Sequence, residues 1–199
     1  IEKDSTHMWI GTSTGLYLLE KATGKYTYIQ MPVESYYIYS LCQASDGMLY
    51  IGTNNAGLLV YDTTKNTFRH YHRDNCALIS NNIYTLLSDG KGNIFLSTEH
   101  GLSTFYPVEE TFHNWTKEQG LKSDHFNAAS GTLRKNGNFI FGSTDGAIEF
   151  NKDMILPRDY KFKMVFSDLR VFYQTVYPKD EGSPLILDID ETKTLDRKS

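Results

Sequence analysis

Hydrophobic positions fall into short runs along the chain, and four of these runs share a common ending. The four endings are Trp9–Thr12, Tyr50–Thr53, Phe95–Thr98 and Ile140–Ser143. Each contains a small residue followed by Thr or Ser, and a second glycine follows a few residues later. A repeat of ~40–50 residues built from short strands and glycine turns is typical of β-propeller blades.

The second copy displays the repeating unit most clearly. Tyr36–Ala44 predicts an aromatic and β-branched strand, closed by a Ser-Asp-Gly turn. The next predicted strands are Met48–Thr53, Leu58–Asp62 and Thr67–Tyr71. Four short antiparallel strands, counted outward as a to d, form one blade. Blades stack face to face, so the inner strands need apolar or small residues on both faces, and Gly52 suits a close backbone approach.

The repeat predicts an all-β fold class, namely a partial β-propeller of four-stranded antiparallel blades plus the first strands of a β-sandwich domain. The predicted units are a blade lacking most of its inner strand at 1–30, blades at 31–71 and 72–115, a last blade at 116–159, and a truncated start of an immunoglobulin-like domain at 160–199. In the last unit, Tyr160–Tyr173 and Leu185–Ile189 predict strands. Closed propellers have ~4–8 blades, so we expect the chain to be the end of a larger ring.

Composition supports this interpretation and excludes some functions. Tyr (14) and Phe (11) far outnumber Trp (2), and these residues favour pleated, half-buried surfaces. A net charge of −4 gives no basic patch for nucleic acid. No apolar run reaches the ~18 residues of a membrane span. Cys42 and Cys76 have no framework spacing, so we expect two free thiols.

Two segments, Asp46–Leu58 and Asp89–Leu102, resemble the two-component regulator propeller repeat, which runs roughly D-x-x-G-x-[LI]-W-I-G-T-x-x-G-L-x-x-[YF]. Departures occur at positions that we assign a structural role. Tyr50, Phe95 and Ile140 stand where the repeat has Trp, and Ser97 stands where it has Gly.

The order of segments extends this resemblance over residues 1 to about 190. Gly120–Asn127 and Phe141–Gly146 resemble the last blade of such a propeller. Lys161–Ile189 is similar to the start of the tyrosine-rich, immunoglobulin-like domain that follows it. The whole resembles the periplasmic sensor region of hybrid two-component sensors from glycan-degrading gut bacteria. The resemblance implies a periplasmic, oligosaccharide-recognising sensor in a membrane-anchored parent that carries a histidine kinase.

Candidate ligand-binding residues follow from propeller topology, because the d-to-a and b-to-c loops share one face. The face predicted to bind ligand collects Tyr36, Tyr37, Asn54, Asn55, Asn81, Asn82, Glu99, His100, Asp124, His125 and Asp145. Amides, carboxylates and tyrosine rings suit sugars, which need hydrogen bonds and apolar stacking surfaces. Asn and Asp also make turns, so a structural role stays open for each residue. Loop position favours binding.

Catalytic and metal patterns are weak. His70 and His72 would lie on one side of a strand, but no third ligand has a recognisable spacing. Ser123, Asp124 and His125 are adjacent, and adjacent strand residues point apart, so they cannot form a relay. No Gly-x-Ser-x-Gly pattern occurs. We therefore predict no catalytic residue, no metal site and no cofactor, and a function of binding and signal relay.

Two other functions stay open. A propeller glycosidase or lyase would need paired carboxylates, and Glu99, Asp124 and Asp145 are the candidates on the loop face. A protein-docking propeller would bind a polypeptide and ignore sugars. The expected partners are an oligosaccharide or other small ligand and a second copy of the chain, joined through exposed sheet edges. We expect no nucleic-acid partner.

Overall fold

The computed structural model describes residues 1–33, 37–151, 168–178, 180–181 and 185. These residues form antiparallel β-strands and one short 3₁₀ helix, Lys117–Gln119. Within those ranges, no helix is both long and apolar enough to cross a membrane. The predicted all-β class is confirmed. The chain divides into two compact units, Ile1–Pro157 and Arg158–Ser199, which are described separately.

The first unit holds four antiparallel sheets, which we number as blades in chain order. The first blade contains β1 (His7–Thr12), β2 (Gly15–Glu20) and β3 (Tyr26–Ile29). The second contains β4 (Ile38–Gln43), β5 (Leu49–Thr53), β6 (Leu58–Asp62) and β7 (Thr67–Tyr71). The third contains β8 (Ile83–Ser88), β9 (Ile94–Thr98), β10 (Gly101–Tyr106) and β11 (Thr111–Trp115), and the fourth contains β12 (Phe126–Leu133), β13 (Asn138–Ser143) and β14 (Gly146–Asn151). Each strand pairs with its neighbours in sequence.

The turn residues in the sequence predict the bounds of the outer strands accurately and those of the inner strands less accurately. The predicted strands Leu58–Asp62 and Thr67–Tyr71 are confirmed as β6 and β7. The predicted strand Tyr36–Ala44 is too long, because β4 begins at Ile38 and ends at Gln43. Beside β1, the expected remnant of an inner strand is reduced to one bridge between Glu2 and Met8.

Three apolar cores lie between successive blades. The core between the first and second blades includes Trp9, Leu16, Leu49 and Ile51. The core between the second and third includes Tyr50, Leu58, Ile83 and Leu96, and the core between the third and fourth includes Phe95, Phe126 and Phe139. Side chains alternate across a strand, so the fully buried β5 contributes to two of these cores at once. The middle strand of a blade therefore needs apolar side chains on both of its faces.

In the first two blades, a glycine in strand b (β1 or β5) lies against an isoleucine in strand a of the next blade (β4 or β8). A Cβ atom added at Gly11 would lie 2.6 Å from Ile38 Cγ2, and one added at Gly52 would lie 2.8 Å from Ile83 Cγ2. No side chain fits in either space. In the third blade the equivalent residue is Ser97, which is fully buried and whose hydroxyl has no hydrogen-bond partner among the described residues.

The described part of the second unit contains a hairpin of β15 (Arg170–Val171) and β16 (Gln174–Thr175). The prediction of strand as far as Tyr173 is wrong, because the chain turns at Phe172 and Tyr173. Both have positive φ, at 49° and 70°, as the central residues of a type I′ hairpin turn require. Asn and Gly usually occupy such positions, so the aromatic pair gave no turn signal. The predicted strand Leu185–Ile189 falls outside the described residues apart from Leu185.

Replacing Gly52 with alanine should reduce the free energy of unfolding by about 1–3 kcal/mol, because the new methyl group overpacks the contact with Ile83. Urea denaturation measures this cost. In an Ile83→Ala background the same Gly52→Ala change should cost less, since Cγ2 of Ile83 is then absent. An equal cost in both backgrounds would contradict the assignment of this contact as the cause.

Candidate functional site

A hydroxyl group closes the loop between strands b and c of every blade, which in the first blade are β1 and β2. The side chains of Thr12, Thr53, Thr98 and Ser143 donate to the carbonyls of Gly15, Gly57, Gly101 and Gly146 at 2.7–3.0 Å. Each hydroxyl also accepts from a main-chain N–H inside the loop, as Thr53 does from Ala56 at 3.2 Å. This pair of bonds explains why Thr or Ser recurs in the repeat, and it holds the loop residues on the predicted ligand face.

Bonds between loops join the second blade to the third on this face. The N–H of Asn55 donates to Asn82 Oδ1 at 2.7 Å, and the N–H of Gly57 donates to the Asn81 carbonyl at 2.9 Å. The N–H of Asn54 donates to the Tyr37 carbonyl at 2.9 Å. The structure therefore brings Tyr37, Asn54, Asn55, Asn81 and Asn82 together, and part of their hydrogen-bonding capacity holds the loops. Tyr36 falls outside the described residues.

Glu99 supplies a partly exposed carboxylate to this face. One of its oxygens, Oε1, accepts from the Ser80 hydroxyl at 2.9 Å. The same oxygen lies 3.7 Å from His100 Nε2, and the Glu99 side chain is 37% exposed. The third-blade loop thus presents a carboxylate and an imidazole side by side. Sequence reasoning missed Ser80, because one serine in a polar loop carries no signal of its partner.

The remaining candidates have more structural roles than the sequence implied. Asp124 Oδ1 accepts from the N–H of Lys117 at 2.6 Å, close to the start of the 3₁₀ helix. His125 Nδ1 donates to the Glu99 carbonyl at 2.9 Å, and the His125 carbonyl accepts from Thr144 N at 3.0 Å. The side chains of Ser123, Asp124 and His125 therefore bond in separate directions. The N–H of Asp145 bonds to the Ser143 hydroxyl, and Asp145 itself is exposed.

The histidine and cysteine side chains that could bind a metal or act as a nucleophile have surroundings typical of structural residues. His70 in β7 and His72, one residue beyond its end, do lie together, with ring centroids 4.7 Å apart, but His70 Nε2 donates to the Ala56 carbonyl at 2.6 Å. No group of three potential metal ligands occurs among the residues that the structure describes. Burial raises the pKa of the Cys42 thiol to about 11, so it stays protonated at neutral pH and is a poor nucleophile.

The inner strands of the four blades surround a groove of about 640 Å³. Its lining is mostly apolar and small, and it includes Tyr39, Ser40, Thr85, Leu86 and Gly131. A concave surface with few polar groups is the usual form of a small-ligand site. All candidate site residues predicted from the sequence lie in loops, and Tyr39 is not among them. An Ile-Tyr pair at the start of two inner strands was the signal that could have found it.

The chain is similar to proteins of bacterial signalling systems. Residues 32–55 match the family described as two component regulator propeller. A curated relative, Histidine kinase P4 of Formosa agariphila, is 24% identical over 95% of this chain. The chain spans 14% of the length of that relative. The repeat predicted from the sequence is confirmed in the second blade.

Solved structures share the fold at low identity. The extracellular domain of the putative hybrid two component system BT4673 from B. thetaiotaomicron is 20% identical, with a TM-score of 0.58 over 85% of this chain and 22% of that chain. That of BT3049 is also 20% identical, with a TM-score of 0.51 over 77% and 27%. PorZ of the Porphyromonas gingivalis type-IX secretion system is 13% identical, with a TM-score of 0.55 over 71% and 23%. The predicted resemblance to extracellular domains of hybrid two-component systems is confirmed, and these structures establish the fold.

Replacing Thr53 with valine should lower the free energy of unfolding by about 1–3 kcal/mol, because the buried Gly57 carbonyl and Ala56 N–H lose a partner. Urea denaturation gives the value. The Thr53→Ser variant keeps the hydroxyl and is the matched control, so it should retain most of the stability. Valine and serine variants of equal stability would show that the hydroxyl does not hold the loop.

Proposed function

We propose that this chain is the ligand-sensing part of a two-component sensor, that it works in the periplasm, and that it responds to an oligosaccharide. The observation that carries the proposal is the convergence of amide, carboxylate, imidazole and tyrosine groups from adjacent blades on one loop face. Sugars present many hydroxyl groups, and such groups pair with carboxylate and amide oxygens. The similarity to a histidine kinase and to extracellular domains of two-component systems supports a signalling role.

Relay of the signal would use the bonds that cross between blades. Asn55 is tied to Asn82, and Glu99 is tied through its carbonyl to His125. A ligand that moves one of these loops therefore moves its neighbour in the next blade. Such a ligand shifts an equilibrium only by its difference in affinity for two arrangements of these loops. We expect the shift to reach the following domain and the paired subunit of the parent sensor.

The enzymatic and protein-docking functions remain as alternatives. Asp124 already accepts a main-chain hydrogen bond, which suits a loop support more than a proton donor to substrate. A glycosidase needs an acid and a second carboxylate at a defined separation on one substrate. The support role of Asp124 therefore favours binding over hydrolysis.

The Glu99→Gln variant should weaken oligosaccharide binding about tenfold, because a charge-assisted hydrogen bond contributes roughly 1.5–3 kcal/mol. Titration calorimetry with a panel of plant and host oligosaccharides measures the dissociation constant. The matched control is Glu109→Gln, which changes an exposed carboxylate in the turn between β10 and β11 at the other end of the third blade. A panel that yields no binding to the unchanged chain would overturn the sensing proposal, and product formation from any sugar would favour the enzyme.

We also propose that the chain pairs with a second copy. Among the described residues, β3 and β14 pair on one side only, and unpaired strand edges invite a further strand. Light scattering should then give a discrete mass of twice the 22.8 kDa of one chain, with a sharp thermal melt. A monodisperse mass of one chain at high protein concentration would refute edge pairing.

A further inference from the structure

The inner strands of the second and third blades each carry a β-bulge at a tyrosine. In the second blade Ile38 pairs with Thr53 and Ser40 pairs with Gly52, so Tyr39 has no partner across the ladder. The third blade repeats this arrangement and leaves Tyr84 unpaired. Bulges redirect a side chain and often occur next to functional sites. Both tyrosines lie at the end of the inner strand that is nearest to the loop face.

Three tyrosine rings form a continuous row across these two blades. The ring centroids of Tyr37 and Tyr39 are 4.9 Å apart, and those of Tyr39 and Tyr84 are 5.3 Å apart. Tyr37 is 45% exposed, and Tyr39 lines the groove. We call Tyr37, Tyr39 and Tyr84 the tyrosine row.

Most of the tyrosine row lies outside the apolar cores. Among the described residues, Tyr37 and Tyr39 belong to none of the three apolar cores, and only Tyr84 packs against one of them. None of the three hydroxyl groups bonds to another described residue, whereas the buried Tyr50 and Tyr61 donate to Asp46 and Asn66. The rings and hydroxyls of the row are therefore available to a ligand.

Among the described residues, the side chains that line the groove beside Tyr39 are uncharged. Burial raises the pKa of Tyr84, and the negative charge of Glu99 raises it further. No Lys or Arg side chain is present in the described lining of the groove. Recognition of a sugar carboxylate or sulfate usually relies on Arg or Lys. This environment favours an uncharged ligand.

The inclination of the rings bears on the choice between two uncharged ligands, a flat aromatic molecule and a sugar. Neighbouring rings of the row are inclined at 51° and 78°, so they present faces and edges in turn. A flat aromatic ligand can stack face to face on only one of two inclined rings. A pyranose has C–H groups on its faces and hydroxyls around its rim, so it contacts inclined rings and donates to a carboxylate at the same time.

We propose that the tyrosine row binds the apolar faces of an uncharged oligosaccharide while Glu99 accepts hydrogen bonds from its hydroxyl groups. This site rests on the proposed sensing function and names the part of the molecule that recognises the sugar. Stacking on the rings supplies the affinity, and the tyrosine hydroxyls contribute less. Pockets that combine aromatic walls with a few polar groups have this division of roles.

The test compares alanine and phenylalanine at the same positions in the full chain. The tightest ligand is first selected by calorimetry from cello-, xylo-, manno- and galacto-oligosaccharides, with oligogalacturonides as the acidic set. Tyr39→Ala and Tyr84→Ala should each weaken binding about tenfold or more, and Tyr39→Phe and Tyr84→Phe should stay within about threefold of the unchanged chain. Tyr26→Ala removes a 72% exposed tyrosine from β3 and is the matched control, so it should leave the affinity unchanged.

Each outcome has a separate meaning. If the Ala and Phe variants lose the same affinity, the tyrosine hydroxyls and not ring stacking recognise the sugar. If both Ala variants bind as tightly as the unchanged chain, the tyrosine row is not the binding site, although the sensing function still stands. Binding restricted to oligogalacturonides would refute an uncharged ligand. Failure of every sugar to bind the unchanged chain would overturn the sensing function together with the row. Circular dichroism melts identify any unfolded variant, and Tyr39→Ala then gives the decisive result because Tyr39 lies outside the described cores.

Discussion

The close approach of a glycine in one blade to an isoleucine in the next determines the spacing of the first three blades. At Gly11 and Gly52 the neighbouring isoleucine occupies the volume where a side chain would begin. Interiors are packed to crystal-like density, so this contact sets how near two sheets lie and which residues meet between them. The two apolar cores between these three blades and the position of their inner strands depend on that distance.

Burial of the middle strand on both faces follows from the same packing. In β5, alternate side chains enter two different cores, so neither core is complete without the neighbouring blade. A repeat of this kind cannot bury its apolar faces alone, and stability comes from stacking. Ser97 interrupts the pattern with a buried hydroxyl that lacks a described partner, and beyond it β12 leaves its ladder between Phe126 and Gly131.

Strand order, blade number within the described region and the loops that come together on one face were accessible from the sequence, because turns such as Asn54–Gly57 carry strong local signals. The bulges at Tyr39 and Tyr84 were not, since an extra residue in a strand of aromatic residues leaves no trace in the periodicity. The turn at Phe172 and Tyr173 was hidden for a similar reason. The contacts of Ser80 with Glu99 and of His125 with the Glu99 carbonyl link residues that are distant in sequence, so only the fold reveals them.

The hydroxyl bonds that close the loops fix the main-chain shape of the loop face, and the side chains of the loops determine its chemistry. Thr98 fixes both ends of its loop through Gly101 and His100 main-chain atoms, so the side chains held between them do not decide the loop's path. The side chains of Glu99 and His100 can therefore be exchanged while the hydroxyl bonds of Thr98 keep the main chain of the loop in place. Substitutions between the two main-chain anchors therefore change the chemistry of this face while the hydroxyl bonds keep its shape.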